Sequence, residues 1–252
     1  MAKIEDGPFG HLSESEKVSR DMFLTMLRET PVVDRDLMTN LGLFMNRKAV
    51  TRLLYMHHLY QKLMNVHGVV MEFGVHWGQT LALYSTFRAL YEPYNFYRKL
   101  IGFDTFEGFP SVHDKDGAHP AVAVGSIAVT KGYEDYLERL LQLHEDNNPL
   151  PHTKKFELIK GDVVETLPKF LAEHPETIVA MAHFDLDLYE PTKVCLERLK
   201  PHLTKGSVLA FDELSCEEYP GETLALREVF GLDRFRIERV PMSPRTSFAI
   251  FE

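Results

Sequence analysis

The sequence predicts an α/β fold: a mostly parallel sheet with helices on both faces, a helical N-terminal extension and a closing antiparallel strand. Three observations carry this. After Gly68, short continuous apolar runs alternate with helical patterns, as expected of strands buried on both faces. Before it, only helical periodicity is present. At the end, Arg234–Val240 and Ser247–Phe251 are strand-like runs joined by a short loop with Pro241 and Pro244. That loop has no room for a helix, so the two runs form a hairpin.

In chain order, Leu12–Glu29 reads as a helix with a Ser-x-x-Glu start, broken at Pro31. A second amphipathic stretch sets Val50, Leu53, Leu54, Tyr60, Leu63 and Met64 near one face and stops at Gly68. Val69–Phe73 is the first strand, and Thr80–Tyr91 a helix with Leu83, Tyr84, Phe87 and Leu90 inward. Strands follow at Lys99–Phe103, Phe156–Lys160, Ile178–Phe184 and Ser207–Phe211, with helices near Val164–Leu171 and Pro191–Leu199. Ser111–Lys155 is an irregular insertion with a β-branched run near Val122–Val129 and a helix over Tyr133–His144. The organisation is a helical extension over 1–68 and one α/β domain over 69–252, with the insertion at 111–155.

Composition narrows the function. With 28 basic against 37 acidic side chains the formal charge is −9, and the basic residues are dispersed, so nucleic acid is not an expected partner. Cys195 and Cys216 have no metal or redox spacing and read as reduced thiols. The first residues are too charged for a signal peptide, and runs such as Ile178–Ala182 fall far short of the ~20 residues that span a bilayer. The expectation is a cytoplasmic protein with no membrane partner.

Ligands of open parallel sheets bind beyond the carboxyl ends of the strands. The first such loop is Glu72-Phe73-Gly74-Val75-His76-Trp77-Gly78. Its glycines permit a tight turn and close ligand approach, but the third glycine of a dinucleotide fingerprint is missing. An acid at its head would repel a pyrophosphate and suits an ammonium and a sulfonium, hence S-adenosyl-L-methionine. Thr80 opens the following helix on the same side, and His76 either touches the methionine carboxylate or packs. In the second loop, Asp104-Thr105-Phe106-Glu107-Gly108-Phe109, Asp104 is placed to accept from both hydroxyls of a ribose, and Phe106 or Phe109 to wall an adenine. In the third, Asp162 before Val163 either accepts from the adenine amino group or caps the next helix.

The fourth and fifth loops, Asp185-Leu186-Asp187-Leu188-Tyr189-Glu190 and Asp212-Glu213, bring carboxylates to one mouth. Such acids repel one another unless a cation lies between them. Hard oxygen donors without Cys or His point to Mg²⁺ or Ca²⁺, with Asp185, Asp212 and Glu213 as the ligands. Asp187, alternating with Asp185, points elsewhere, toward substrate or the loop backbone. Glu190 reads as a helix cap.

These motifs resemble the TylF-type, or macrocin, sugar O-methyltransferases. The likeness lies in Met71-Glu72-Phe73-Gly74-Val75-x-x-Gly78, Gly102–Pro110, Phe184–Thr192 and Phe211-Asp212-Glu213, and extends from about Leu59 to Phe251. Relatives carry two Asp after the fifth strand where this chain has Asp212-Glu213, and often a smaller residue at Leu186. The resemblance implies a Rossmann-like class I methyltransferase sheet. It also implies methyl transfer from S-adenosyl-L-methionine, leaving S-adenosyl-L-homocysteine, to a sugar hydroxyl of a glycosylated bacterial natural product, with Mg²⁺ or a similar ion.

On that reading a cation acidifies the sugar hydroxyl and a carboxylate removes its proton. Asp185 is the expected base; His183 either competes for that role or is a buried structural imidazole. Asp187 and Tyr189 are expected at the substrate, with Tyr55 and Met56 from an adaptable apolar set that includes Met38, Leu43, Phe44 and Met45. For each of these, plain packing or a subunit interface of a homo-oligomer is the competing expectation. The 1–68 extension and the insertion are the segments long enough to cover the strand ends as a lid. A catechol-type methyltransferase with the same metal logic is the alternative enzyme; a non-catalytic nucleotide-binding scaffold is the alternative outside catalysis.

Overall fold

The computed structural model describes residues 13–243 and 245–252; the charged N-terminus, Leu12 and Pro244 lie outside them. The chain divides into two units, Met1–Arg52 and Leu53–Glu252.

In the first unit, helix α1 (Glu14–Arg28) starts on a capping box between Ser13 and Glu16, the two ends of the Ser-x-x-Glu pattern. It is followed by α2 (Asp34–Leu37) and a 3₁₀ segment, Met38–Phe44. Met22, Phe23, Met26, Leu43 and Phe44 line an apolar cavity of about 540 Å³. Helix α3 (Arg47–Leu63) runs into the second unit.

The second unit holds a seven-stranded sheet. Its elements are β1 (Val69–Phe73), α4 (Gln79–Tyr91), β2 (Leu100–Asp104), α5 (Tyr133–Asn147), β3 (Phe156–Lys160), α6 (Val163–Glu173), β4 (Val179–Phe184), α7 (Tyr189–Leu199), β5 (Leu203–Phe211), α8 (Gly221–Val229), β6 (Ile237–Arg239) and β7 (Ser247–Ile250). The strand order is β3-β2-β1-β4-β5-β7-β6. The β1–β5 pairs are parallel, while β7 runs antiparallel between β5 and β6. The expected hairpin is therefore present, with its second strand inserted beside β5. This is the Rossmann-like class I sheet, and its topological switch point lies between β1 and β4.

Alternation along the strands makes two cores. Val70, Met181, Val208 and Ala210 face α3, α4 and α5 through Leu59, Tyr84 and Leu137. Met71, Phe103, Ala182 and Leu209 face α6, α7 and α8 through Leu167, Leu196 and Leu226. Three sequence expectations shift. On α3 the buried face is Tyr55, Met56, Leu59, Tyr60 and Leu63, whereas Val50 and Leu54 are exposed. On α4, Leu90 is exposed near the helix end, past the sheet-facing stripe. The insertion is only partly peripheral. Its β-branched run near Val122–Val129 forms turns, not a strand, while α5 sends Leu137 and Leu141 into the core.

Charge is also buried at the amino ends of the strands. Arg88 pairs with Glu145, whose other oxygen lies 2.6 Å from Lys155 Nζ, and Arg88 donates to the carbonyls of Arg98 and Lys155. Arg98 pairs with Glu92 and donates to the Gly68 and Leu63 carbonyls. These links tie α3, α4 and α5 to the strand entrances, and each charge has a partner, as burial requires. Among the described residues no helix is long and apolar enough to cross a membrane.

Candidate active site

Four phenylalanines level the carboxyl edge of the sheet. Phe73 pairs in register with Phe103 and Phe184, and Phe184 with Phe211. Their rings stack across β2, β1, β4 and β5 at 5.3, 5.2 and 4.9 Å between centroids. The residue after each one, Gly74, Asp104, Asp185 or Asp212, opens its loop from the same height. The ladder continues one step further, because the Gly74, Asp185 and Asp212 amides donate to the Phe103, Phe73 and Phe184 carbonyls. The Phe73 side chain, expected at the cofactor, is thus buried floor beneath the loop after β1.

At the switch point Gly74 has φ +88°, and a Cβ there would stand 1.9 Å from the Asp185 carbonyl oxygen. Only glycine lets the first and fourth loops approach this closely. Glu72 is buried and level with Gly102 on β2 and His183 on β4. Asp104 accepts from the His76 amide at 2.7 Å and the Phe106 amide at 2.5 Å, so it joins the first two loops. Each carboxylate oxygen keeps a second lone pair for a ligand hydroxyl. Thr105 closes its own turn onto the Gly108 carbonyl at 2.7 Å. Thr80, Phe106 and Val163 are buried, while Phe109 is half-exposed and remains available as a wall. Gly78 begins α4 in the left-handed region at φ +75°. Asp162 caps α6 through the Val164 amide at 2.9 Å.

The carboxylate group differs from the sequence expectation in the direction of Asp187. Asp187 has φ +61°, a left-handed conformation that Asp tolerates better than most residues. Strand alternation ends there, so Asp187 does not point away from its neighbours. It is buried, and its carboxyl is pushed well above the ordinary range by burial, then by Asp185 and Asp212, with Arg245 pulling the other way. Glu213, expected as a metal ligand, pairs through Oε1 with the Arg245 guanidinium, while its buried Oε2 has no hydrogen-bond partner among the described residues. Glu222 completes the group. It is fully buried, with its carboxyl also raised by burial and then by Asp187, Asp185 and Asp212. Sequence reasoning missed Glu222 and Arg245 because neither directly follows a parallel strand: Glu222 lies on α8 and Arg245 in the loop that enters β7.

Other expected contacts are structural. Tyr55 and Met56 are core residues: the Tyr55 hydroxyl donates to the Ser247 carbonyl at 3.0 Å, and Met56 Sδ accepts from Tyr84. Neither presents a surface to substrate. The Tyr189 hydroxyl is occupied by Glu228 and Lys115, at 2.5 and 2.8 Å. His183 is fully buried with its Nδ1 3.4 Å from the Tyr84 hydroxyl, inside the core and not at the mouth. Among the described residues, no three His, Cys, Asp or Glu side chains are gathered at metal-ligand spacing. The donors that lie together, Asp185, Asp187 and Asp212, are all carboxylate oxygens, the kind a hard cation takes.

A family model for a methyltransferase domain matches residues 71–214. No curated protein sequence matches the chain. Among solved structures, the calicheamicin methyltransferase CalS11 is 44% identical over 95% of this chain and 94% of its own, with a TM-score of 0.93. An apo structure of CalS11, a TDP-rhamnose 3'-O-methyltransferase of calicheamicin biosynthesis, gives 41% identity, coverage of 95% and 96%, and a TM-score of 0.83. The O-methyltransferase NovP, 19% identical over 80% of each chain with a TM-score of 0.60, shares the fold. The chain belongs to the methyltransferase-domain family and, within it, to the sugar O-methyltransferases that include the calicheamicin enzyme.

Proposed function

We propose that this O-methyltransferase transfers the methyl group of S-adenosyl-L-methionine to a hydroxyl of a deoxysugar carried on a nucleoside diphosphate. The observation that carries the reading is the juxtaposition, across the switch point, of a glycine-lined loop with the buried Asp187 and the half-buried Asp185 and Asp212. The acceptor class rests on the relative that acts on TDP-rhamnose.

Glu72 faces the donor's ammonium, Gly74 and Gly78 let the backbone approach it, and Asp104 accepts from its ribose. Phe109 walls the adenine, with Asp162 at its amino group. The donor supplies an electrophilic methyl on a sulfonium. A divalent ion such as Mg²⁺ at Asp185 and Asp212 would acidify the acceptor hydroxyl and neutralise the carboxylates. Asp187 takes the role of base that the sequence placed on Asp185. As the sugar oxygen bonds to the methyl carbon and the carbon–sulfur bond breaks, Asp187 receives the hydroxyl proton and neutral S-adenosyl-L-homocysteine remains.

The test is a labelled-methyl transfer assay by mass spectrometry with three acceptor sets: TDP-deoxyhexoses, glycosylated natural products and catechols. A gain of one methyl on a TDP-deoxyhexose is expected. Transfer confined to intact glycosides would move the acceptor to the later, glycosylated stage. Transfer only to catechols would overturn the sugar reading.

A further inference from the structure

The segment Asp185–Leu188 carries the carboxylates between β4 and α7. Leu188, the N-cap of α7, provides no side-chain cap, and Asp187 sits in the left-handed region. Two buried carboxyl groups from elsewhere in the chain hold backbone amides of this segment and of Tyr189. Asp116, in the insertion, accepts from the Tyr189 amide at 2.5 Å through one oxygen and from the His113 amide at 2.6 Å through the other. Glu222, on α8, accepts from the Leu186 amide at 3.2 Å and the Glu213 amide at 3.4 Å. Its two oxygens therefore join the loop after β4 to the loop after β5. Gly221 closes the seat: a Cβ there would lie 2.5 Å from the Tyr189 nitrogen and 2.8 Å from the Asp187 carbonyl oxygen.

We infer that Asp116 and Glu222 are positioning residues that clamp the Asp185–Tyr189 loop from both sides, setting where the Asp185 and Asp187 carboxylates stand. The insertion would then act as part of the site's frame. Both residues are essentially fully buried, so a carboxylate at either place is costly unless its oxygens are used. Here all four oxygens accept backbone amides. The inference rests on the reading that this loop carries the reacting groups.

The experiment compares Asp116→Ala, Asp116→Asn and Glu222→Gln with the wild type and with Glu92→Gln, a control in the ion cluster at the far end of the sheet. Three quantities are measured on the folded full chain: amide exchange at Leu186 and Tyr189, calorimetric affinity for S-adenosyl-L-homocysteine, and kcat on the acceptor found above. Asp116→Ala should speed Tyr189 exchange and lower kcat by about 10- to 100-fold, with cofactor affinity changed by less than about threefold. Asp116→Asn keeps one acceptor oxygen and should recover part of the loss; it also serves if the alanine variant does not fold. Glu222→Gln should act likewise at Leu186. The control should lose thermal stability with kcat intact. Unchanged exchange at both amides overturns the clamp. Faster exchange with full kcat shows that the clamp exists but does not position reacting groups, which overturns the positioning role and leaves the methyl-transfer reading standing. No methyl transfer by the wild type to any acceptor is the outcome that sinks that reading. A kcat loss matched by an equal loss of cofactor affinity also overturns the positioning role.

Discussion

Phe184 stacks on Phe211 with centroids 4.9 Å apart and planes 12° from parallel, one residue below Asp185 and Asp212. Packing and function meet at this pair, because the height of the rings sets the height of the carboxylates. Phe184→Ala should cost about 3–5 kcal/mol through lost burial and the cavity left behind. Phe184→Leu should cost less, about 1–2 kcal/mol, and still lower kcat, since the loops no longer start from a level floor. Urea denaturation with kcat on the folded fraction checks both. Full activity in Phe184→Leu would show that the ladder supports only the core.

Asp104 carries two duties that a substitution separates. Its carboxylate accepts the His76 and Phe106 amides and is proposed to hold the donor's ribose. Asp104→Ala should weaken binding of S-adenosyl-L-homocysteine by about 1.5–3 kcal/mol, the range for hydrogen bonds to a charged group. Asp104→Asn, keeping one acceptor, should lose about half of that. Calorimetry measures both, with NAD as the silent control. Tight NAD binding to the wild type would remove the methyl-donor reading of the glycine loop.

What could be read from the sequence was whatever repeats on a strand's period. Glu72-Phe73-Gly74, Phe103-Asp104, Phe184-Asp185 and Phe211-Asp212 are local patterns, and strand alternation placed each at the mouth. Beyond the strand ends the period stops applying. Counting in twos points Asp187 away, but its left-handed backbone turns it to the cluster. The resemblance aligns Glu213 with the acidic pair of relatives, and its pairing with Arg245, 32 positions later, leaves no local trace. Asp116 and Glu222 act 73 and 36 positions away from the amides they hold, a relationship that only the folded chain creates. Tyr55 and Met56 looked adaptable, yet the phase of α3 turns them inward.

The Glu92 cluster predicts an acid-sensitive stability unrelated to catalysis. Hydrogen bonds from Arg98 and Tyr60 and the Arg98 charge outweigh burial, the largest single influence, and hold the Glu92 carboxyl below its ordinary 4.5. A lowered folded-state pKa means that the unfolded chain binds the proton first. The contribution is present above 4.5 and is lost as pH falls through the lower folded value. Glu92→Gln should cost about 1–3 kcal/mol at neutral pH, make the remaining acid unfolding less steep, and leave kcat unchanged. Thermal melts across the acid range measure this. An equally steep acid transition in the variant would place the sensitivity elsewhere.

The Asp187 and Glu222 carboxyls have the opposite sign. Both are raised above their ordinary 3.8 and 4.5, by burial first and then by neighbouring acids. The unfolded chain releases these protons at the ordinary values, while the folded chain keeps them to higher pH. Within that window the folded state binds more protons, so metal-free stability is greatest below it and falls as pH rises through the folded values. A divalent cation at the carboxylates should reverse the trend, because it binds the ionised folded form. Mg²⁺ at about 100 times its Kd should add about 2.7 kcal/mol near neutral pH and little in acid, where the carboxyls are protonated. Asp187→Asn should flatten the metal-free pH profile and lower kcat by about 10²–10⁴, with S-adenosyl-L-homocysteine still bound. Asp212→Asn should abolish the Mg²⁺ stabilisation, whereas Glu213→Gln, whose carboxylate is engaged by Arg245, should largely retain it. Thermal melts with Mg²⁺, Ca²⁺ or chelator at several pH values check the cation without relying on turnover. If neither ion moves the melting temperature at any pH, and turnover survives exhaustive chelation, the carboxylates work without a metal and the loss in Asp187→Asn reports the base alone.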